Sequence, residues 1–176
     1  FTQQTRPGED SISSLVMLAW DEQFFYVAAR LERPSRQRRV VELATHRSHD
    51  ATHGNRDRVE LELDTDRDFV TSFQLCIDES GLTSDRCWML DKWNPEWFVA
   101  VDSDETTWRL EAAIPLAELS APAARAGDLW SLRLRRILPG VLEHELVSAG
   151  NSVSTNGTGL IRFIRPKVAT KSKLRN

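Results

Sequence analysis

Apolar residues recur in short runs with a period of two, and this spacing constrains the fold more than any other feature of the chain. In the clearest run Val59, Leu61 and Leu63 alternate with charged residues. Such alternation is typical of a strand with one buried and one polar face. Eight runs predict strands, at 15–20, 24–31, 59–63, 69–77, 97–101, 108–114, 130–138 and 160–164.

Turn residues rich in Asp and Gly separate these runs, and only residues 115–119 suggest a helical turn. Many short strands with almost no helix predict an all-β fold, an antiparallel β-sandwich of jelly-roll or immunoglobulin-like architecture with at most one short helical turn. We expect one domain at 13–165, preceded by a polar linker at 1–12 and followed by a basic tail at 166–176.

Composition excludes several classes of function. The 176 residues carry a net charge of −3, so no basic excess attracts nucleic acid. No apolar run approaches the roughly 20 residues that a membrane-spanning helix needs. The sequence also lacks a Gly-rich phosphate loop, a GxSxG elbow and an HExxH motif. We therefore predict a protein that is not an enzyme and needs no organic cofactor.

Tryptophan is the unusual residue, with six copies against one tyrosine. Trp20, Trp108 and Trp130 lie inside strand patterns, which predicts that they belong to the core. Trp88, Trp93 and Trp97 cluster around an Asn-Pro pair. Their rings either stack on a flat ligand such as a sugar or cap one end of the core.

Two polar segments are candidate metal sites. Asp64, Asp66 and Asp68 offer hard oxygen ligands spaced by two, which suits structural calcium, while an acidic turn is the alternative. His46, His49 and His53 could bind zinc or copper, but we favour a hydrophilic loop without metal.

Cys76 and Cys87 flank a predicted hairpin turn. If residue 78 pairs with residue 85, the two cysteines face each other and a disulfide becomes feasible. Two free, buried thiols are the alternative.

Several segments in order resemble the family 9 carbohydrate-binding modules, within the wider group of DOMON-like β-sandwiches. They are AWDEQFFYVAA, the DxVE strand at Asp57 to Glu60, FQLCIDESG, WxxEAAIPLxEL from Trp108 to Leu119, GDLWSLRLRR and the terminal GLIRF. The similarity runs from about residue 15 to residue 163, and it is closest to bacterial secreted versions found in larger multidomain proteins.

The resemblance implies a non-catalytic module that binds an oligosaccharide or polysaccharide outside the cytoplasm, extracellular, periplasmic or at the cell surface, alongside other domains of its parent chain. Such modules often hold structural calcium as well, so the resemblance also implies a calcium site. Glu60 matches a sugar-binding Glu of the family. Gly54 and Leu146 stand where the family has sandwiching tryptophans, so the usual aromatic sandwich is absent.

Two readings of the site therefore stay open. A sugar could bind through Trp93 and Trp97, with Glu60, Gln74 and Arg136 as hydrogen-bonding residues. Alternatively, the module keeps the fold as a structural or protein-interaction domain without a sugar site. Some members of the wider group bind haem through axial Met, His or Lys. The chain has two methionines, Met17 and Met89, and core packing explains Met17.

Overall fold

A computed structural model of the chain describes residues 12–46, 50–88, 90, 92–140, 143–147 and 158–165, the segment 143–147 by its backbone only. The predicted linker at 1–12, apart from Ile12, and the predicted tail at 166–176 lie outside the described residues. The strands are β1 (Ser14–Trp20), β2 (Phe24–Glu32), β3 (Arg58–Asp64), β4 (Phe73–Asp78), β5 (Thr83–Cys87), β6 (Phe98–Ser103), β7 (Thr107–Pro115), β8 (Leu129–Ile137), β9 (Glu143–Val147) and β10 (Gly159–Arg162).

These strands form two antiparallel sheets, which confirms the predicted all-β sandwich. One sheet has the order β1-β2-β7-β6. The other sheet has six strands. Five follow the order β10-β8-β3-β4-β5, and β9 also pairs with β8, with a shift in register between Leu134 and Arg135. A short helix α1 (Leu116–Leu119) follows β7 where a helical turn was predicted, and a 3-10 turn spans Ser35–Gln37. Among the described residues, no helix is long and apolar enough to cross a membrane.

The core lies between the two sheets and is built from the alternating positions of their strands. Val59, Leu61 and Leu63 of β3 are nearly inaccessible to solvent, while the residues between them face outward. Trp108 and Trp130 are buried as predicted. Trp20 is half-buried against the same core, and its indole N–H donates to the carbonyl of Ile164 at 3.0 Å.

A buried ion pair joins the sheets near one end of the core. Arg136 of β8 donates to both carboxylate oxygens of Asp57, at 3.0 Å and 2.5 Å. The indole N–H of Trp108, from the opposite sheet, donates to the same carboxylate at 2.8 Å. Asp57 thus receives three hydrogen bonds that compensate the loss of its hydration.

A second ion pair fixes the turn between β4 and β5. Glu79 is fully buried and binds Arg33 and Arg39. Arg33 also donates to the hydroxyl of Ser103 at 2.8 Å and to the carbonyl of Asp104 at 3.4 Å, in the connection between β6 and β7. This pair therefore connects turns of both sheets.

The strand predicted at 69–77 begins four residues later than expected. Side chains of the preceding loop bind its backbone: the N–H of Phe69 donates to Asp64 at 3.0 Å, and that of Val70 donates to Asp68 at 2.7 Å. Amides held in this way cannot join a strand ladder. Phe69 and Val70 consequently lie exposed on the loop.

The sequence interpretation missed two strands and wrongly placed one residue in the core. The inward positions of β5 are Thr83, Asp85 and Cys87, so this strand shows no apolar alternation. Strand β9 was also missed. Met17 was predicted to pack in the core, but it lies on the outer face of β1 with 61% of its surface exposed. Met89 lies outside the described residues.

The predicted pairing of Cys76 with Cys87 is wrong by three residues. Cys76 pairs with Ser84, and Cys87 pairs with Phe73. Cys76 points to the outer face of the sheet, whereas Cys87 points to the core side. Both thiols are free, because the register puts them at different positions on opposite faces.

Candidate functional site

A polar cleft of about 630 Å³ lies on the outer face of the six-stranded sheet. Strands β3, β4, β5 and β8 form its floor, and the segment before β3 forms one wall. Its lining residues are mostly polar and carry both signs of charge. They are Asp50, Ala51, His53, Gly54, Arg58, Glu60, Leu61, Glu62, Gln74, Leu75, Cys76, Ser84, Asp85, Arg86 and Arg135.

Glu60 lies at the centre of the cleft floor between two arginines. Arg58, two residues before it on the same face of β3, donates to one carboxylate oxygen at 3.0 Å. Arg135, directly opposite Glu60 on β8, donates to the other oxygen at 2.7 Å. All three side chains are about one-quarter exposed or less, so their hydrogen-bonding groups are fixed yet still reach the cleft.

Gln74 extends this polar floor on the neighbouring strand. It pairs with Glu62 of β3 and with Arg86 of β5, whose guanidinium donates to its side-chain oxygen at 2.6 Å. Cys76 lies next to it on the same face. Burial raises the pKa of the Cys76 thiol to about 12, with a further contribution from the charge of Glu60. At neutral pH Cys76 is therefore a protonated thiol and not a nucleophile.

His53 lines the wall of the cleft, and both of its ring nitrogens have partners. Nδ1 lies 3.1 Å from a carboxylate oxygen of Asp78, and Nε2 lies 2.9 Å from the hydroxyl of Ser84. These contacts leave no ring nitrogen available to a zinc or copper ion. His46 is exposed, and His49 lies outside the described residues.

Sequence reasoning found Glu60 and Gln74 but missed the arginines around them. Arg58 and Arg135 occupy the same outward positions of their strands as Glu60, a signal present in the alternation of β3 and β8. Gly54 also borders the cleft, with a φ of 53°. No side chain extends from this position, so this part of the wall has no aromatic ring.

Arg136 was predicted to bind sugar hydroxyls, and the structure contradicts this. It lies on the inward face of β8 in line with Leu132 and Leu134, and it is completely buried. Its guanidinium is committed to Asp57 and Ser14.

The proposed stacking surface of Trp93 and Trp97 is also not formed. Trp97 is 2% exposed, and its indole N–H donates to buried Asp85 at 3.0 Å. Trp93 is half-buried and packs on Phe73, with ring centroids 4.9 Å apart. Both rings pack against the core, as in the alternative prediction that this cluster caps one end of it. Trp88 is the most exposed ring of the three, at 48%, and it does not line the cleft.

The loop after β3 brings the three predicted calcium ligands together. One carboxylate oxygen from each of Asp64, Asp66 and Asp68 lies within 4.8 Å of the other two. Burial raises the pKa of Asp64, whereas backbone N–H groups, that of Thr71 first, lower the pKa of Asp68. Carboxylate oxygens are the ligands that calcium prefers, so the three aspartates form a candidate calcium site.

A second cleft, of about 660 Å³, lies beside this loop. Much of its wall is made of small or apolar residues, including Ser120, Ala121, Pro122 and Ala124. The first cleft is the better candidate, because several charged and amide side chains converge on it.

Comparison with known proteins supports the fold. The sequence matches no model of a protein family, and a search of curated proteins finds no match either. Among solved structures, it is similar to a family 9 carbohydrate-binding module from Caldicellulosiruptor kristjanssonii in complex with cellotriose, with a TM-score of 0.62 and 15% identity over 96% of this chain and 82% of the other.

Two further structures agree with this result. The complex of a family 9 module from the same organism with glucose gives a TM-score of 0.62 at 15% identity, covering 95% of this chain and 83% of the other. A protein from Bacteroides uniformis that is proposed to bind carbohydrate gives 0.60 at 9% identity, covering 88% and 79%. The chain therefore has the fold of family 9 carbohydrate-binding modules, as its sequence motifs predicted.

Proposed function

We propose that this chain is a non-catalytic carbohydrate-binding module of a larger extracytoplasmic protein, and that the cleft around Glu60 holds the sugar. The observation that carries the proposal is the fixed set of planar polar groups on the cleft floor. Glu60 held between Arg58 and Arg135 presents acceptors and donors side by side. Sugar hydroxyls, which both donate and accept, match such paired groups.

The charge of the cleft favours a neutral sugar. Arginines and carboxylates alternate along its floor, and Glu60 is paired with two of the arginines. Neither sign of charge dominates, so a polyanion gains no general electrostatic attraction. Because no exposed tryptophan borders the cleft, hydrogen bonds carry most of the recognition.

Binding of cellotriose, glucose and a panel of neutral plant and algal polysaccharides by calorimetry and glycan array tests the proposal. We expect Glu60→Gln to weaken binding by about tenfold, because the amide replaces a charged acceptor of both arginines. Glu111→Gln is the matched control, since Glu111 is exposed on the outer face of the other sheet. Absence of binding to every glycan, or an equal loss in the control, would contradict the proposal.

The proposal includes a structural calcium ion in the loop after β3. Asp64, Asp66 and Asp68 would hold it, and the ion would neutralise three neighbouring carboxylates. Its role would be to stabilise the loop, which lies away from the cleft floor.

A second candidate function is a protein-interaction module without a sugar site. The outer face of the four-stranded sheet favours it. Leu15 and Met17 of the edge strand β1 and Phe98 of the opposite edge strand β6 are each more than half exposed there. Exposed apolar side chains are typical of contact surfaces. Failure of all glycan binding, together with an association with another domain of the parent chain that Phe98→Glu abolishes, would support this function instead.

A further inference from the structure

The contacts of His53 determine which of its nitrogens carries a proton. Asp78 is completely buried, and one of its carboxylate oxygens accepts from the N–H and hydroxyl of Ser80 and from the N–H of Leu82. Burial by itself raises the pKa of Asp78, but the hydrogen bonds of His53, Ser80 and Leu82 outweigh it and leave the pKa below the usual value. Asp78 is therefore ionised at neutral pH and can only accept.

An ionised Asp78 fixes the tautomer of neutral His53. Nδ1 must carry the proton, since it donates to the other oxygen of Asp78 at 3.1 Å. Nε2 is then an acceptor, and the hydroxyl of Ser84 donates to it at 2.9 Å. The hydroxyl proton of Ser84 consequently points towards His53.

This arrangement gives the Ser84 oxygen a defined polarity. Its proton is used by His53, and one hydrogen bond connects it to the thiol of Cys76. Its remaining capacity is that of an acceptor, and Ser84 is one of the residues that line the cleft. Neutral His53 thus makes Ser84 an acceptor and prevents it from acting as a donor towards the cleft.

We propose that Ser84 accepts a hydrogen bond from a hydroxyl group of the sugar in the cleft, and that His53 and Asp78 position it for this role. This inference rests on the proposed sugar-binding function.

The charged and titratable groups around this unit lie on several elements. Arg56, in the segment of His53, lies 3.7 Å from the Asp78 carboxylate. Cys76 on β4 contacts Ser84, and Asp50 before β3 pairs with Ser84 through an isolated bridge. Burial keeps the Cys76 thiol protonated at neutral pH.

The same three residue types form the nucleophile relay of serine hydrolases. A hydrolase also needs donors directed at the developing oxyanion. Ser84 lies within β5, between its ladder partner Cys76 of β4 and its bridge partner Asp50. The backbone at Ser84 thus takes part in strand pairing and is not directed at an oxyanion. We therefore assign Ser84, His53 and Asp78 to ligand binding.

Calorimetry with cellotriose and glucose at neutral pH tests the ligand contact. Ser84→Ala should lose about tenfold in affinity, because it removes the acceptor oxygen. His46→Gln is the matched control, since His46 is exposed outside the cleft, and its affinity should equal that of the wild type. Sugar binding that Ser84→Ala leaves unaffected would overturn the inference.

Nitrogen NMR of the His53 ring decides the tautomer without any sugar. We expect the neutral ring to be protonated at Nδ1, and protonation at Nε2 would overturn the inference. If the wild type binds no sugar, the proposed function fails and the ligand contact with it, while the NMR result still decides whether His53 orients Ser84. Hydrolysis of p-nitrophenyl acetate that Ser84→Ala abolishes would replace binding with catalysis.

Discussion

Arg136 shows how one residue's position within a strand decides its role. Its charge suggested a surface residue, yet it shares the inward positions of β8 with Leu132 and Leu134. A buried arginine needs a buried partner, and Asp57 supplies it. Because every second residue of a strand points to the same face, the alternation through Leu132 and Leu134 predicts an inward position for Arg136.

Removing the guanidinium should leave Asp57 as an uncompensated buried charge. We expect Arg136→Met to lower the free energy of unfolding by about 3–5 kcal/mol, measured by urea denaturation. Arg109→Met is the control, because the pairs of Arg109 with Asp102 and Asp104 are exposed to solvent and the variant should lose far less stability. Equal losses in the two variants would refute this account of the core ion pair.

At the scale of single elements, the loop between β3 and β4 is organised by its own aspartates. Asp64 and Asp68 accept hydrogen bonds from five donors of the following residues, four of them backbone N–H groups. Arg67 and Phe69 adopt positive φ angles of 61° and 58° within this loop. The acidic turn that the sequence offered as an alternative to a calcium site is therefore present, and the two interpretations are compatible.

Calcium should raise the melting temperature if this loop binds it. With the dissociation constants of about 10⁻⁴–10⁻³ M typical of extracellular modules, 10 mM calcium stabilises the native state by about 1.4–2.7 kcal/mol. For a domain of this size the shift is about 3–10 °C, measurable by calorimetry. The variant Asp66→Asn should shift much less, and an unchanged melting temperature in the wild type would rule out the site.

The register of β4 and β5 makes a prediction about the two thiols. Burial raises the pKa of Cys76 to about 12 and also raises that of Cys87, so both should react slowly with Ellman's reagent at pH 8. Unfolding in urea without reductant should release both thiols of the chain. In Cys87→Ala the count should drop to one. Detection of no thiol in the unfolded wild type would reveal a disulfide and a different register.

Over the whole molecule, the sequence predicted the sandwich because the core strands alternate clearly, as Val59, Leu61 and Leu63 do. It missed β5, whose inward residues include Asp85. Within the site, the family resemblance pointed to Glu60 and Gln74, and both occupy outward positions of their strands. The contact of His53 with Ser84 joins residues 31 positions apart in a segment before β3 and in β5, and only the three-dimensional arrangement reveals it.

Ionised carboxylates set the response of the fold to acid. Among the described residues, the pKa is lowered for four aspartates, Asp21, Asp68, Asp104 and Asp78. For the first three the main cause is a backbone N–H group, of Gln23, Thr71 and Thr106 respectively. Burial raises the pKa of Asp78, but its hydrogen bonds outweigh this effect. A lowered pKa contributes stability that is present above the unfolded value near 3.9 and is lost as the pH falls through the folded value.

The free energy of unfolding should therefore be smaller at pH 2.5 than at pH 6, measured by urea denaturation across this range. Asp64, whose pKa is raised, opposes this change in part. In Asp104→Asn the acid loss should be smaller than in the wild type, since one of the titrating carboxylates is gone. Stability that is constant or rises on acidification would contradict the assigned pKa directions.

The buried pair of Arg33 and Glu79 has a consequence for how a ligand is received. Glu79 directly follows Asp78, so the pair connects the turn that carries Asp78 to Ser103 and the backbone of Asp104 on the other sheet. The strand end that contacts His53 in the cleft wall is thus anchored across the sandwich before any ligand binds. Such preorganisation leaves little conformational entropy to lose on association, so a small hydrogen-bonded ligand can keep more of its interaction energy as affinity.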